Sequence, residues 1–171
     1  MTGDRALIVA ISGCSSSGKT TLARLLRDIF PNTFILHEDD FYRPEAELPM
    51  RDGLLDWDCP EAIDITGMAD SLAYIRQHAS FPARREARDG YVTLEGFWAD
   101  PPGYVDKIVW PNYVEQHAWM FQGGDVEGEF KMDVLEKERI KVQDKVGVDG
   151  DIEKTFEWTV DTILDELKRQ I

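Results

Sequence analysis

The sequence predicts an α/β fold in which helices flank a parallel β-sheet. Six consecutive apolar residues, 6–11, are typical of a buried strand, and they lead through a glycine loop into a helical pattern at about 19–30. Pro31 ends that helix, and residues 33–37 form a second short apolar run. A strand, helix and strand in this order imply parallel pairing. We therefore expect a three-layer, Rossmann-like arrangement with strands at about 7–12 and 33–37.

The glycine loop matches the phosphate-binding pattern G-x-x-x-x-G-K-[ST]. Gly13 and Gly18 let the main-chain N–H groups face an anion at the positive end of the helix. Lys19 adds a positive charge at the β- and γ-phosphates, and the Thr20 hydroxyl is placed to bind Mg²⁺. The strand and helix on either side disfavour a simple glycine turn. The expected nucleotide-binding residues of this P-loop NTPase motif are Gly13, Cys14, Ser15, Ser16, Ser17, Gly18, Lys19, Thr20 and Thr21.

An acidic triplet, residues 38–40, follows the second predicted strand. Ligands bind at the carboxyl ends of parallel strands, so these acids should share an edge with the phosphate loop. Asp39 could orient an alcohol and accept its proton, and it joins Thr20 as an expected magnesium ligand. The alternative is a solvated acidic turn. The chain has no N-K-x-D segment for reading guanine, which favours a small-molecule kinase.

The remaining elements follow from prolines and apolar spacing. Prolines predict an irregular loop at 43–60. A helix is expected at about 67–78, with Thr66 as its N-cap. The later expectations are a short helical segment ending at Gly90, two helical pieces meeting at Pro111, a short strand at 139–142 and a C-terminal helix at about 152–171.

Composition narrows the class of protein. The 171 residues suit a single domain, 1–171, with a hydrophobic core. The net charge of −14 argues against a nucleic-acid partner. Two cysteines make no disulfide framework, and apolar runs fall short of the roughly 18 residues of a membrane span. We therefore expect a cytoplasmic protein with no membrane partner.

Four groups of residues resemble the nicotinamide riboside kinases, relatives of uridine kinase among the P-loop kinases, and the fungal type in particular. They are residues 12–21, residues 37–42, residues 56–62, and a set comprising 84–91, 100–104 and 110–111. The resemblance implies ATP-dependent phosphorylation of the 5′-hydroxyl of nicotinamide riboside in NAD synthesis, with Mg²⁺. It covers about residues 7–128.

The resemblance also implies roles for individual residues. Asp39 matches the catalytic acid of the family, and Asp58 and Asp100 match the carboxylates that hold the hydroxyls of the riboside. Trp57 and Tyr91 fall where aromatic rings flank the base. The arginines of an expected lid at about 83–103 would close over the transferring phosphoryl group; they are Arg84, Arg85 and Arg88. The alternatives are a helix-entry cap for Asp58, a loop anchor for Trp57 and a solvated face for the arginines.

The chain departs from the family pattern between about Ser80 and Arg84. The family has further strands at this point, and a join of so few residues cannot contain them. The central strands are therefore expected to be missing, and the activity reduced or absent. Two alternatives remain: a non-catalytic nucleotide-binding protein, such as a dimer that pairs its exposed sheet edge, and a kinase for uridine or another nucleoside. The sequence leaves the oligomeric state open.

Overall fold

The computed structural model describes residues 6–13, 17–80, 101–143 and 151–170. These residues are rich in helix, and their sheet consists of two short antiparallel strands. Two compact units are formed, one by Met1–Ile8 with Leu36–Glu127 and the other by Val9–Ile35 with Gly128–Ile171; we refer to them as the first and second unit. In chain order the elements are α1 (Lys19–Ile29), β1 (Met50–Arg51), β2 (Leu54–Leu55), α2 (Ile65–His78), α3 (Trp110–His117), α4 (Met132–Lys137) and α5 (Ile152–Gln170).

In the second unit, α1 packs against α5. Leu22 and Leu26 lie four positions apart on α1, so they share one face of the helix, and both are buried. Leu135 on the short helix α4 is almost fully buried. The C-terminal helix α5 lies where the apolar pattern predicts a helix. The short helix α4 was not predicted.

Helix α2 of the first unit begins two residues before the predicted start. Asp64 is its N-cap, and the Asp64 side chain accepts a hydrogen bond from the Gly67 N–H at 3.1 Å. The prediction of Thr66 as the N-cap is wrong, because Thr66 already lies within the first turn. An N-cap side chain usually accepts a hydrogen bond from the main-chain N–H three residues later, and Asp64 accepts from Gly67 in this way.

The two helical pieces expected around Pro111 form one continuous helical segment. A π-helical turn at Val105–Val109 leads directly into α3, with the Trp110 N–H bonded to the Val105 carbonyl. Proline donates no hydrogen bond and its ring crowds the carbonyl four residues earlier. The helix therefore widens where Pro111 enters it, instead of breaking.

The predicted parallel sheet is not present in the described residues. Segments 7–12 and 33–37 carry no strand there, nor does 139–142. Ile8 and Val9, expected in the core, are 39% and 47% exposed. A strand forms only by pairing with a neighbour, and the family's strands next to this segment are those that the chain is expected to lack.

Residues 43–60, predicted as an irregular loop, contain the hairpin β1–β2. Met50 pairs with Leu55 and Arg51 with Leu54 across the two-residue turn Asp52-Gly53. Both turn residues have positive φ, 49° and 79°, which is the type I′ geometry that hairpins favour. No helix in the described ranges is long and apolar enough to cross a membrane.

Candidate functional site

The described part of the glycine loop leads into α1 of the second unit. Gly18 is the N-cap, with a left-handed φ of 88° that favours glycine. A Cβ at Gly13 would lie 2.8 Å from the Ser17 Oγ, so the Ser17 side chain would have to move to admit one. Lys19 Nζ donates to the Gly13 carbonyl at 2.9 Å, which places the ammonium group over the loop. Cys14, Ser15 and Ser16 lie outside the described residues.

The start of α1 has two features that favour an anion. The first turn of α1 points its N–H groups toward the loop, and no acidic side chain lies in that turn. Thr20 and Thr21 are exposed there. A hydroxyl oxygen is a hard donor of the kind that Mg²⁺ accepts. Among the residues with described positions, no group of three or more His, Cys, Asp or Glu side chains could hold a metal ion.

Asp39 lies in a 3₁₀ turn, Glu38–Phe41, of the first unit and is exposed. The buried Phe41 anchors this turn, and the Phe41 carbonyl accepts from the Asp64 N–H at 2.8 Å. The Arg43 N–H donates to the Ala62 carbonyl, also at 2.8 Å. The turn is therefore tethered to the segment that enters α2, with its carboxylates toward solvent.

Trp57 and Asp58 lie beside the start of the π turn in the same unit. The Tyr104 hydroxyl accepts from the Trp57 N–H at 3.1 Å and donates to Asp58 Oδ2 at 3.0 Å. Burial raises the pKa of the Tyr104 phenol well above its ordinary value, and the nearby Asp58 carboxylate raises it further. The phenol therefore stays protonated as a donor. The Trp57 ring meets Tyr42 edge to face at 5.3 Å.

A cavity of about 200 Å³ opens beside Trp57 and Tyr104. It lies against the hairpin and is apolar. A cavity of roughly 150 Å³ lined by apolar side chains is large enough for benzene, so a single aromatic ring fits this one by size. The residues that line it are Met50, Gly53, Leu54, Leu55, Trp57, Pro101 and Tyr104.

A buried polar pair lies directly behind this segment. Asp56 and Asn112 are each 3% exposed. Asn112 Nδ2 donates to both carboxylate oxygens of Asp56, at 2.8 and 3.0 Å. Asp56 Oδ1 also accepts from the Asp58 N–H at 3.1 Å. The buried carboxylate is thereby hydrogen-bonded, as a charge in a protein interior must be.

Arg51 and Glu115 extend the network to the surface. Arg51 Nη1 donates to Asn112 Oδ1 at 3.2 Å, and Nη2 forms an ion pair with Glu115 at 2.8 Å. The hydrogen bond from Arg51 lowers the pKa of Glu115, and the same bond raises the pKa of Arg51. Asp56 and Tyr104 lie in segments that carry the resemblance, but the sequence assigned no role to them or to Asn112, because nothing in it pairs positions so far apart.

The structure divides the predicted site residues into three sets. Gly13, Ser17 to Thr21 and their helix belong to the second unit, whereas Asp39, Trp57 and Asp58 belong to the first. Trp57 and Asp58 share one partner, Tyr104. The other predicted residues lie outside the described ranges: Arg84, Arg85, Arg88, Tyr91 and Asp100.

Comparison with known proteins decides the family. No family model matches the chain. The chain is 30% identical over 237 residues to the nicotinamide riboside kinase of Schizosaccharomyces pombe, which covers 96% of this chain and 99% of the relative. The chain belongs to the nicotinamide riboside kinase family. The Saccharomyces cerevisiae enzyme is 28% identical over 240 residues, and human nicotinamide riboside kinase 2 is 29% identical over 162.

Membership makes this chain one of a family of kinases, shorter than its fungal relatives. The match to the S. pombe protein extends over 237 positions, although the chain has 171 residues. It nevertheless covers nearly the whole of both proteins, so the relative contains internal residues that have no counterpart here. This is consistent with a deletion, the location of which we expect between Ser80 and Arg84.

Proposed function

We propose that the chain transfers the γ-phosphoryl group of ATP to the 5′-hydroxyl of nicotinamide riboside, giving nicotinamide mononucleotide. The observation that carries this proposal is the 30% identity to a nicotinamide riboside kinase over 99% of that relative. The loop geometry and the cavity beside Trp57 support it independently.

The phosphate half of the reaction falls to the second unit. The loop residues Gly13 to Thr21 would bind the phosphates of ATP, with main-chain N–H groups at the start of α1 and the Lys19 ammonium group opposing their negative charge. Mg²⁺, when bound, would offset charge on the phosphoryl oxygens, and Thr20 and Asp39 are the residues we assign to hold it.

The acceptor half falls to the first unit. Asp39 would accept the proton of the 5′-hydroxyl, for which its exposed carboxylate on an anchored turn is suited. Asp58 and Asp100 would hold the other hydroxyls, while Trp57 and Tyr91 would flank the pyridinium ring. A flat cation binds well against an aromatic face, and the cavity at Trp57 accommodates one ring by size.

Beyond these sites, we assign both compact units to one P-loop kinase domain, 1–171, in the cytoplasm. Its lid, at about 83–103, would bring Arg84, Arg85 and Arg88 to the transferring phosphoryl group. We take nicotinamide riboside as its small-molecule partner, without nucleic acid or membrane. We also propose that the missing residues correspond to the central strands of a three-layer parallel fold, and that their loss lowers the rate.

A coupled assay of ATP consumption tests the proposed function. ADP release should depend on nicotinamide riboside, exceed that with uridine, and fall below that of the S. pombe kinase under the same conditions. If the chain binds nucleotide but releases no ADP with any nucleoside, the non-catalytic alternative is favoured. The exposure of Ile8 and Val9 supports that alternative, because an assembly of chains would cover them. A rate equal to that of the S. pombe kinase would show that the deletion is tolerated.

A further inference from the structure

Both main-chain N–H groups of the Trp57-Asp58 pair are bonded to side chains, one from the neighbouring Asp56 and one from the distant Tyr104. The Trp57 N–H donates to the Tyr104 hydroxyl, and the Asp58 N–H donates to the Asp56 carboxylate. Tyr104 also donates to the Asp58 side chain. Asp58 itself is exposed. The carboxylate is therefore accessible to a ligand while the chain that carries it is fixed.

Asp56 and Asn112 join this pair to α3. The two residues are 56 positions apart, and their double hydrogen bond is buried. A buried polar pair with its hydrogen bonds made holds the chain around it in one geometry. That geometry includes the direction of the Asp58 N–H, which is bonded to the same carboxylate.

Arg51 fixes the orientation of the Asn112 amide. A guanidinium group only donates, so the amide atom that meets Arg51 is the oxygen, and the NH₂ group must face Asp56. Glu115 holds the guanidinium group by accepting from Nη2 at 2.8 Å and from Nη1 at 3.5 Å. Arg51 at the surface thus determines which atom of the Asn112 amide donates to the buried Asp56.

We infer that Asp56, Asn112 and Tyr104 are positioning residues for riboside binding, because they hold Asp58 at the geometry that its ligand requires. This inference rests on the proposed function, in which Asp58 binds hydroxyls of the riboside. Asp56 and Asn112 are buried and do not need to contact the substrate, whereas Tyr104 also lines the cavity beside Trp57. Their effect is expected on riboside affinity and KM, with the KM for ATP unchanged, because their contacts lie in the acceptor half.

The test is calorimetric binding of nicotinamide riboside to the full chain, with riboside KM as a second readout. Asn112→Asp places two carboxylates face to face and should weaken binding about ten- to a hundredfold. The exchange Asp56→Asn with Asn112→Asp restores a donor opposite an acceptor and should restore most of the affinity. Gln116→Glu adds the same charge to an exposed position of α3 and should leave binding unchanged.

An Asp58→Ala background separates positioning from general damage. There Asn112→Asp should weaken riboside binding by less than about twofold, since the group that it positions is gone. If Asn112→Asp does not fold, Asp56→Asn keeps the shape without the charge and should weaken binding several-fold. A folded Asn112→Asp variant with unchanged affinity, or an exchange that restores nothing, overturns this inference alone. No riboside binding by the unsubstituted chain would overturn the proposed function as well.

Discussion

Tyr104 shows how one hydroxyl can organise two neighbouring residues. It accepts from the Trp57 N–H and donates to the Asp58 carboxylate, and its side chain is 4% exposed. The motif around residues 56–62 identified Trp57 and Asp58 from the sequence. Their partner could not be identified in the same way, because a contact between positions 46 or 47 apart exists only once the chain is folded.

Tyr104→Phe should lower the free energy of unfolding by about 1–2 kcal/mol near neutral pH, because the partly buried Trp57 N–H loses its acceptor. The raised pKa means that folded Tyr104 keeps its proton where the unfolded phenol, with an ordinary pKa of about 10, loses it. Unfolding of the unsubstituted chain therefore becomes easier as pH rises above about 10. The stability difference between the two proteins should shrink over that range.

Urea unfolding at neutral pH and at roughly pH 11 measures this difference. Tyr74→Phe is the control, since Tyr74 is an exposed phenol and its loss should change stability by less than about 0.5 kcal/mol. A difference for Tyr104→Phe that stays constant across the alkaline range would contradict the assigned role of burial.

At the scale of elements, the sequence predicted helices better than caps and turns. Helices lie where apolar spacing predicts them, as at α1 and α5, because that spacing reflects local geometry. The hairpin was missed although Asp52-Gly53 is a strong turn signal, since three prolines in the same stretch favoured an irregular loop. The π turn forms where Pro111 lies within a longer helix, and the spacing of apolar residues does not reveal such a turn.

The cap of α2 gives a paired prediction. Asp64→Ala should lower the free energy of unfolding by about 1 kcal/mol, because the Gly67 N–H loses the carboxylate that accepts from it. Thr66→Ala, two residues later and exposed, should change it by less than about 0.5 kcal/mol. Urea unfolding of both variants measures the comparison. Equal losses, or a larger loss at Thr66, would show that the cap lies elsewhere.

The turn of the hairpin gives a second prediction at this scale. Gly53 has a φ of 79° and no atom within 4 Å of an added Cβ, so Gly53→Ala meets conformational strain alone. We expect a loss of about 1 kcal/mol in the free energy of unfolding. Asp52→Asn, which keeps a residue suited to positive φ, should be nearly neutral. A Gly53→Ala variant as stable as the unsubstituted chain would contradict the type I′ turn.

For the molecule as a whole, the largest difference is that the predicted parallel sheet is absent from the described residues. The pattern of residues 6–11 indicates a strand, but pairing depends on residues that lie elsewhere in the chain. The short join between Ser80 and Arg84 already indicated that such partners were lost. Local patterns therefore predicted the helix-forming segments, whereas the sheet depended on what the rest of the chain could supply. The site motifs stay predictions.

Nucleotide binding by the whole chain can be measured without any acceptor. Mg-ATP at about a hundred times its dissociation constant should stabilise the folded chain by about 2.7 kcal/mol, which raises the melting midpoint by roughly 5–10 °C. Lys19→Ala should abolish most of that shift, and Lys168→Ala, at an exposed lysine of α5, should retain it. Equal shifts in both variants would contradict phosphate binding at the glycine loop.

The most direct test of the account follows a label from the γ-phosphate of ATP during incubation with nicotinamide riboside. We expect labelled nicotinamide mononucleotide from the unsubstituted chain. In Asp39→Asn the rate of labelling should fall at least about a hundredfold, because the amide cannot accept the proton of the hydroxyl. Label that remains in ATP, or appears only in inorganic phosphate, would contradict the assignment of this chain as a nicotinamide riboside kinase.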